Sequence, residues 1–366
     1  MEKTKVGIVG CGNISETYLK SCPTFDALEV AACADVDMSR ARAKAEEFGL
    51  RALTVDELLA DPEIEIVVNL TTPQAHAEVN LRALEAGKHV HTEKPLAVTR
   101  ADGQRTLALA REKNRRVGAA PDTFLGGGLQ TCRKLLDDGA IGEPAAFSAF
   151  MGYSGPEAWH PNPDFFYQPG AGPMFDIGPY YLTALIHLLG PVRRVTGAAR
   201  ASFPERVAGH PDIRGRRIKV NTPTHIVGVL EFASGPIGAL VTTFDVQAHN
   251  QPRIELYGSE GTLLVPDPNT FGGPVRLFRA GEKEWRDVPL THGYTDNHRG
   301  LGAADLAHGL RSGRAHRANG EMAYHVLDLM HAFHDAAREG KHIELTSTCQ
   351  RPAALPVGLR EGMLDE

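Results

Sequence analysis

The chain has no apolar run long enough to cross a bilayer, and its first residues, MEKTKVGIVG, lack the apolar core of a secretory signal. A cytoplasmic protein without a membrane partner is therefore expected. Cysteine is scarce: Cys11, Cys22, Cys33, Cys132 and Cys349 are odd in number, scattered and without metal-type spacing. Neither a disulfide framework nor a metal site is expected from them. Basic runs are short, as at Arg115 and Arg116 or from Arg214 to Lys219, and the formal net charge is -6, which argues against nucleic acid as a partner. No internal repeat or low-complexity tract occurs. At 42% hydrophobic and 23% charged residues the composition is that of an ordinary folded chain. Its 366 residues exceed one comfortable core, so two domains are expected.

Lys5 to Val9 is a β-rich run that breaks into GCGNIS, with a helix starting at Asn13. Strand, glycine turn and helix form the setting in which a Gly-x-Gly motif reads as a dinucleotide site. Gly10 allows the tight turn and Gly12 lets the backbone approach a pyrophosphate. The helix N-terminus at Asn13 and Ile14 offers unpaired N–H groups to it. Ser15 stands where a third glycine is usual, small enough for close packing. A second strand, LEVAACAD from Leu28, ends in Asp35, at the spacing of the acid that binds the adenosine ribose hydroxyls. A carboxylate there repels a 2'-phosphate, so NAD(H) is expected over NADP(H), although Arg40 would tolerate phosphate if the loop moved. The competing role for Asp35 is as cap of the following helix.

Alternation continues with strands at Arg51 to Leu53, Ile64 to Leu70, Lys88 to Thr92 and Arg116 to Ala119, and helices from Val55, over Glu78 to Ala86 and over Thr99 to Lys113. This predicts a six-stranded, doubly wound parallel α/β sheet of Rossmann type in residues 1–122. Ligands lie beyond the carboxyl ends of such strands. Thr71, Thr72, Pro73 and His76 fall there, in reach of ribose or nicotinamide, although His76 is equally a helix residue with no role. The strand at His89 to Thr92 runs out into Glu93, Lys94 and Pro95. Pro95 pushes the lysine toward an extended conformation, which sets how it leaves the strand; an ordinary solvated turn is the alternative.

From Thr123 the pattern changes. A helix, LQTCRKLLDDGAIG, leads to β-rich segments at Ala145 to Met151, Arg194 to Arg200, Lys219 to Phe232, Ile237 to Asp245 and Arg253 to Tyr257. They predict a mostly antiparallel sheet in a C-terminal α+β domain, residues 123–366. The long loop after the first of them carries Tyr153, Trp159, His160, Phe165, Phe166, Tyr167, Asp176 and Tyr180, the kind of segment that builds binding sites. Asp176 and Tyr180 are four apart at a helix start and share a face. Asp176 is also a candidate helix cap and Tyr180 a candidate core residue. Further on, His249 and His325 are candidate pocket residues, while Tyr294, Asn297, His298 and Arg299 touch substrate from a neighbouring subunit or not at all. His331 and His334 lie one turn apart, but the apolar stripe Val326, Met330, Phe333 and Ala337 leaves them toward solvent, and no third ligand is visible.

The joint order of GIVGCGNIS, an acid after strand two, TTPQAH and then EKP resembles the Gfo/Idh/MocA family (glucose-fructose oxidoreductase, inositol dehydrogenase and rhizopine-catabolism proteins) over nearly the whole chain. The resemblance implies a nucleotide domain joined to an α/β domain whose large open-faced sheet makes oligomer contacts, here a homodimer or homotetramer. It implies action on sugars or polyols, and a lysine, aspartate and histidine catalytic group within Asp-x-Gly-x-His. Asp176 and Gly178 match, Tyr180 replaces the histidine, and some relatives use tyrosine there. Carbinol oxidation sends a hydride to nicotinamide C4 and needs a base at the hydroxyl. Lys94 qualifies if burial and the cationic ring lower its pKa toward neutrality; Tyr180 is the other candidate. Asp176 would orient the base or hold a neighbouring hydroxyl, and Tyr153, Trp159 and His160 would bind the sugar ring. Two further functions are compatible with these residues. One is a redox-assisted lyase, hydrolase or epimerase that recycles its cofactor; the other is a non-catalytic sugar sensor.

Overall fold

The computed structural model describes residues 3–365. Six strands open the chain: β1 (Thr4–Val9), β2 (Leu28–Ala34), β3 (Arg51–Leu53), β4 (Ile66–Asn69), β5 (His89–Thr92) and β6 (Val117–Ala119). They form one sheet in the order β3-β2-β1-β4-β5-β6, every pair parallel. Val6, Ile8, Ile66, Val67 and Val68 are fully buried, as expected of central parallel strands covered on both faces. The strand order reverses between β1 and β4, and the crevice that opens at such a switch point is where the glycine turn sits.

The connecting helices are α1 (Asn13–Ser21), α2 (Met38–Phe48), α3 (Val55–Ala60), α4 (Pro73–Glu85) and α5 (Arg100–Glu112). Thr54 and Glu57 close a capping box on α3, and Thr99 caps α5. Helix α4 begins five residues before the expected Glu78, because Thr72 takes the N-cap position and Pro73 the first turn, where proline costs no hydrogen bond.

The rest of the chain runs α6 (Gly127–Asp137), β7 (Pro144–Gly152), α7 (Pro173–Asp176), α8 (Gly178–Leu189), β8 (Val192–Arg200), β9 (Glu205–Val207), β10 (Arg217–Lys219), β11 (His225–Phe232) and β12 (Ile237–Thr243). It continues through β13 (Ile254–Gly258), β14 (Gly261–Val265), β15 (Val275–Arg279), β16 (Arg286–Val288), α9 (Leu301–Ser312), α10 (Gly320–Glu339) and β17 (Ile343–Glu344). Nine strands form a mixed sheet, order β16-β15-β14-β13-β7-β12-β11-β8-β17, antiparallel except for the parallel pair β12 and β7. The single run expected from Lys219 to Phe232 is broken at Pro223, which cannot donate to a ladder; β10 instead pairs with β9 in a separate ribbon.

Helices α6, α8 and α10 pack on one face of the large sheet. On the other, Val227 and Val229 of β11 lie across from Val241 and Ala239 of β12 and are 36% and 37% exposed, with Ile237 at 50%. Near residue 300 the chain returns to the first sheet. Asp122 Oδ2 accepts from Gly300 N (2.8 Å) and Gly302 N (3.0 Å) at the start of α9, and Ala119 N donates to Ala318 O at 3.1 Å. One apolar cluster therefore runs through both sheets, from Val6 and Ile8 to Leu240 and Leu256. No described helix is long and apolar enough to cross a membrane.

Candidate active site

The glycine turn follows from close backbone approach. Gly10 has φ +104°, and a Cβ there would lie 2.6 to 2.8 Å from the Leu70 carbonyl and Thr71 N. Only glycine fits. At Gly12 an added Cβ would meet nothing within 4 Å, and Gly12 caps α1 without a side-chain bond. The N-terminus of α1 thus opens on a cavity of about 770 Å³ lined by Gly10, Gly12, Asn13, Ile14, Asp35, Arg40, Thr71, Thr72 and Pro73. Asp35 does not cap α2; Asp37 does, accepting from Ser39 N at 3.0 Å. Asp35 is held by Cys11 N on Oδ2 (2.8 Å) and Asp37 N on Oδ1 (2.9 Å), which fixes a carboxylate at the end of β2. An open cradle of backbone N–H groups beside a fixed carboxylate fits a dinucleotide, with phosphate at the helix end and ribose hydroxyls at Asp35.

Two features of this turn depart from expectation or escaped it. His76 is 1% exposed, and its Nδ1 and Nε2 face the carbonyls of Pro95 (2.7 Å) and Thr71 (3.0 Å). Burial keeps the ring neutral, so its one N–H donates to one of these carbonyls, and His76 sits as a buried brace between the two strand-end loops. Buried Asn69, unremarked in the sequence, accepts from Thr71 N and Oγ1 and donates to Asn80 Oδ1 and the His76 carbonyl.

At the end of β5, Lys94 Nζ donates to Asp176 O (2.6 Å) and Asp176 Oδ1 (3.1 Å) and stands 5.3 Å from the centroid of the Tyr180 ring. The three candidate catalytic residues are therefore together. Asp176 closes the short helix α7 and Tyr180 lies in the first turn of α8, whose N-cap is Ile177, so Asp176 is not a cap. Burial pushes the Lys94 ammonium down, but Asp176, Tyr180 and Glu93 together outweigh it and hold the group above the usual lysine range. Beside the Asp176 carboxylate the side chain is therefore an ammonium. Glu93 accepts from Lys94 N (2.9 Å) and from the Tyr18 hydroxyl (2.8 Å), so it is an inner brace of the strand end.

Burial raises the Tyr180 hydroxyl, partly offset by the charges of Lys94 and, less, Arg299. Arg299 is itself anchored on Asn297 Oδ1 (2.7 Å) and Asn269 Oδ1 (2.9 Å), within the same chain as the tyrosine it serves. Burial, and next the Asp176 charge, raise the Tyr153 hydroxyl, whose ring meets Phe244 edge-on at 5.1 Å.

The loop between β7 and α7 hangs on a buried ion cluster. Arg206 donates to Glu157 Oε1 (2.8 Å), Asp245 Oδ1 (2.9 Å) and the carbonyls of Ser154 (2.7 Å) and Phe244 (2.6 Å); Tyr167 donates to Glu157. His160 sits among Trp159, Phe165 and Phe166, while Trp159 is 59% exposed at the rim. Asn162 and Phe165 of this loop line the nucleotide cavity, a placement no local pattern signalled.

Three expectations about histidines are corrected. His325 is fully buried, accepts from Val192 N at 3.0 Å and meets Ser347 Oγ at 2.8 Å, so it ties α10 to β8, away from the cleft. His249 packs 4.7 Å from the Phe150 ring, which alternates with the helix-facing Phe147, Ala149 and Met151 and so lies on the open side of the sheet. His331 and His334 are partly covered instead of open to solvent: they flank the Phe175 ring of α7 at 5.0 and 5.6 Å. Among the described residues no group of three or more His, Cys, Asp or Glu could hold a metal.

Comparison with known proteins agrees with this geometry. Residues 4–120 match the family described as "Oxidoreductase family, NAD-binding Rossmann fold" and residues 129–264 the "GFO/IDH/MocA C-terminal domain". The dTDP-3,4-didehydro-2,6-dideoxy-alpha-D-glucose 3-reductase of Saccharopolyspora spinosa is 31% identical over 294 residues, 78% of this chain and 82% of the relative. The scyllo-inositol 2-dehydrogenase (NADP(+)) of Bacillus subtilis is 21% identical across 94% of this chain and 97% of its own. A solved levoglucosan dehydrogenase in complex with NADH and levoglucosan superposes with a TM-score of 0.81 at 20% identity, over 94% of this chain and all of that one. With both halves matched in sequence and a relative aligned over most of its length, the chain belongs to the Gfo/Idh/MocA family of oxidoreductases with an NAD-binding Rossmann fold.

Proposed function

We propose that this protein is an NAD(H)-dependent dehydrogenase or reductase that moves a hydride between nicotinamide and a carbinol or carbonyl carbon of a sugar, glycoside or polyol. The nucleotide belongs to the unit of residues 1–122 and the substrate to that of 123–366. The observation that carries the reading is the Lys94 and Asp176 pair, formed where the end of β5 meets the end of α7, in a chain whose glycine turn opens on a cavity of its own.

The bound nicotinamide supplies the hydride acceptor or donor. In reduction, Lys94 gives its Nζ proton to the carbonyl oxygen as that oxygen gains negative charge. In oxidation the same nitrogen, once neutral, takes the hydroxyl proton. Asp176 Oδ1 keeps Nζ aimed, and Tyr180, whose ring lies beside Nζ, offers a second hydrogen bond to the reacting oxygen. Tyr153 and His160 stand on the substrate loop for the remaining hydroxyls.

Asp35 supports NAD(H) over NADP(H), since its fixed carboxylate occupies the place a 2'-phosphate would need. Arg40 in the same cavity favours phosphate. The macromolecular partner we propose is a second copy, as homodimer or homotetramer. Val227, Val229 and Ile237 on the uncovered face of the large sheet support it, since such apolar patches mark interfaces. Mixing the protein with NAD and a panel of inositols, aldoses and anhydrosugars, or with NADH and keto sugars, tests the activity. A change in NADH absorbance with at least one compound is expected, and none across the panel contradicts it.

A further inference from the structure

We propose that Asn162 and Phe165, on the loop between β7 and α7, are part of the nucleotide site, so that the dinucleotide is held by the Rossmann sheet and the substrate loop together. This rests on reading the cavity above Gly12 as a nucleotide site.

Phe165 is 46% exposed, whereas its neighbours Phe166 and Tyr167 are 8% and 0% exposed. The exposed ring is not slack chain. It stacks on Phe166 with centroids 3.9 Å apart and planes at 31°, and His160 meets both rings edge-on at 5.5 and 5.2 Å. The turn beneath is pinned at several points: Asp164 pairs with Arg216, Gln168 bonds the Asp164 carbonyl at 3.3 Å and Asn221 at 2.9 Å, and Tyr167 reaches the Glu157 and Arg206 cluster. A large apolar side chain is thus held against water by a fixed support, and it lines the same cavity as Gly12, Ile14, Thr71 and Pro73.

The occupant this suits has flat heteroaromatic rings joined by sugars and phosphate. The Phe165 ring offers an apolar surface for the dinucleotide to cover. The Asn162 amide, at the same wall, offers a donor and an acceptor to ribose or carboxamide.

The test is NADH titration of the full chain, followed by nucleotide fluorescence with no sugar present. Phe165→Ala should weaken NADH binding about tenfold, with Phe165→Tyr within about twofold of the unsubstituted protein. Phe203→Ala, which removes another half-exposed ring that does not line the cavity, should leave NADH affinity unchanged. The thermal midpoint without nucleotide should be the same for all four proteins, since both rings are about half in solvent. Equal NADH affinity for Phe165→Ala and the unsubstituted chain overturns the inference while leaving the nucleotide site intact, as does equal weakening by Phe203→Ala. Failure of the unsubstituted chain to bind either NADH or NADPH overturns the nucleotide reading, and this inference with it.

Discussion

Lys94 places one ammonium between two oxygens of Asp176, the carbonyl at 2.6 Å and Oδ1 at 3.1 Å, and so joins a strand end of the first sheet to a helix of the second part of the chain. The bond forms only when the two halves dock, and it keeps the nitrogen protonated until substrate arrives. Replacing Lys94 by Ala should lower kcat by about 10²- to 10⁴-fold, the usual worth of a positioned acid or base. Asp176→Asn keeps the shape but removes the charge that holds the lysine up. The alkaline limb of the pH profile for reduction should then move to lower pH, and an unmoved limb contradicts the assignment.

Tyr180→Phe separates the two candidate proton carriers. The ring under Lys94 is kept and only the hydroxyl is lost. With Lys94 as donor, kcat should fall by less than about tenfold, whereas a fall of about 10²-fold or more would assign the proton to the tyrosine.

Cofactor choice is read at Asp35. Its carboxylate is fixed by Cys11 N and Asp37 N, so it cannot swing away from a 2'-phosphate, and Arg40 waits in the same cavity. Asp35→Ser should shift the ratio of kcat/KM for NAD over NADP toward NADP by about 10²-fold. Steady-state rates with both cofactors check this, and an unchanged ratio counts against the placement.

Acid stability has a source in His325. Val192 N donates to Nε2, so Nδ1 carries the hydrogen toward Ser347, whose hydroxyl donates to Asp328 at 2.7 Å. A second proton on the ring would face a backbone donor, and burial pulls the group down to about 4. The unfolded chain binds this proton below pH about 6.5 and the folded chain does not until about pH 4. The stabilisation is therefore complete above the unfolded value and lost as pH falls through that window, by at most about 3 kcal/mol. Thermal melts of His325→Gln should show a shallower loss between those limits than the unsubstituted chain; parallel curves would contradict it.

Arg206→Met tests the loop anchor. It strands Glu157 and Asp245, both about nine-tenths buried, without their cation. A loss of about 3–5 kcal/mol in denaturant unfolding is expected, and a loss below about 1 kcal/mol would mean the cluster is not load-sharing.

Much of the first sheet is legible in the sequence because its signals are local. Apolar strands are punctuated by glycine, by the acid at Asp35 and by Pro95, and the helices between them carry their own caps. Where the reading slipped, a local signal was passed over, as at Thr72 and Pro73, or the outcome was tertiary, as for the short strands β14 to β17. Lys94, Asp176 and Tyr180 could be singled out from strand ends and spacing together with the family resemblance, and the structure brings them together. The walls could not be. Asn162 and Phe165 reach a cavity built from residues about 90 to 150 positions earlier, and Arg299 meets Tyr180 across 119. Histidines mislead for the same reason: nothing within α10 says that His325 faces β8 or that His331 and His334 enclose Phe175.

The most direct test of the central claim compares the unsubstituted protein with Lys94→Ala in single-turnover reduction by NADH of whichever keto sugar the panel identifies. The account predicts equal NADH affinity for the two proteins and a chemical step at least about 10²-fold slower in the variant. Equal rates of NADH consumption by both would contradict it.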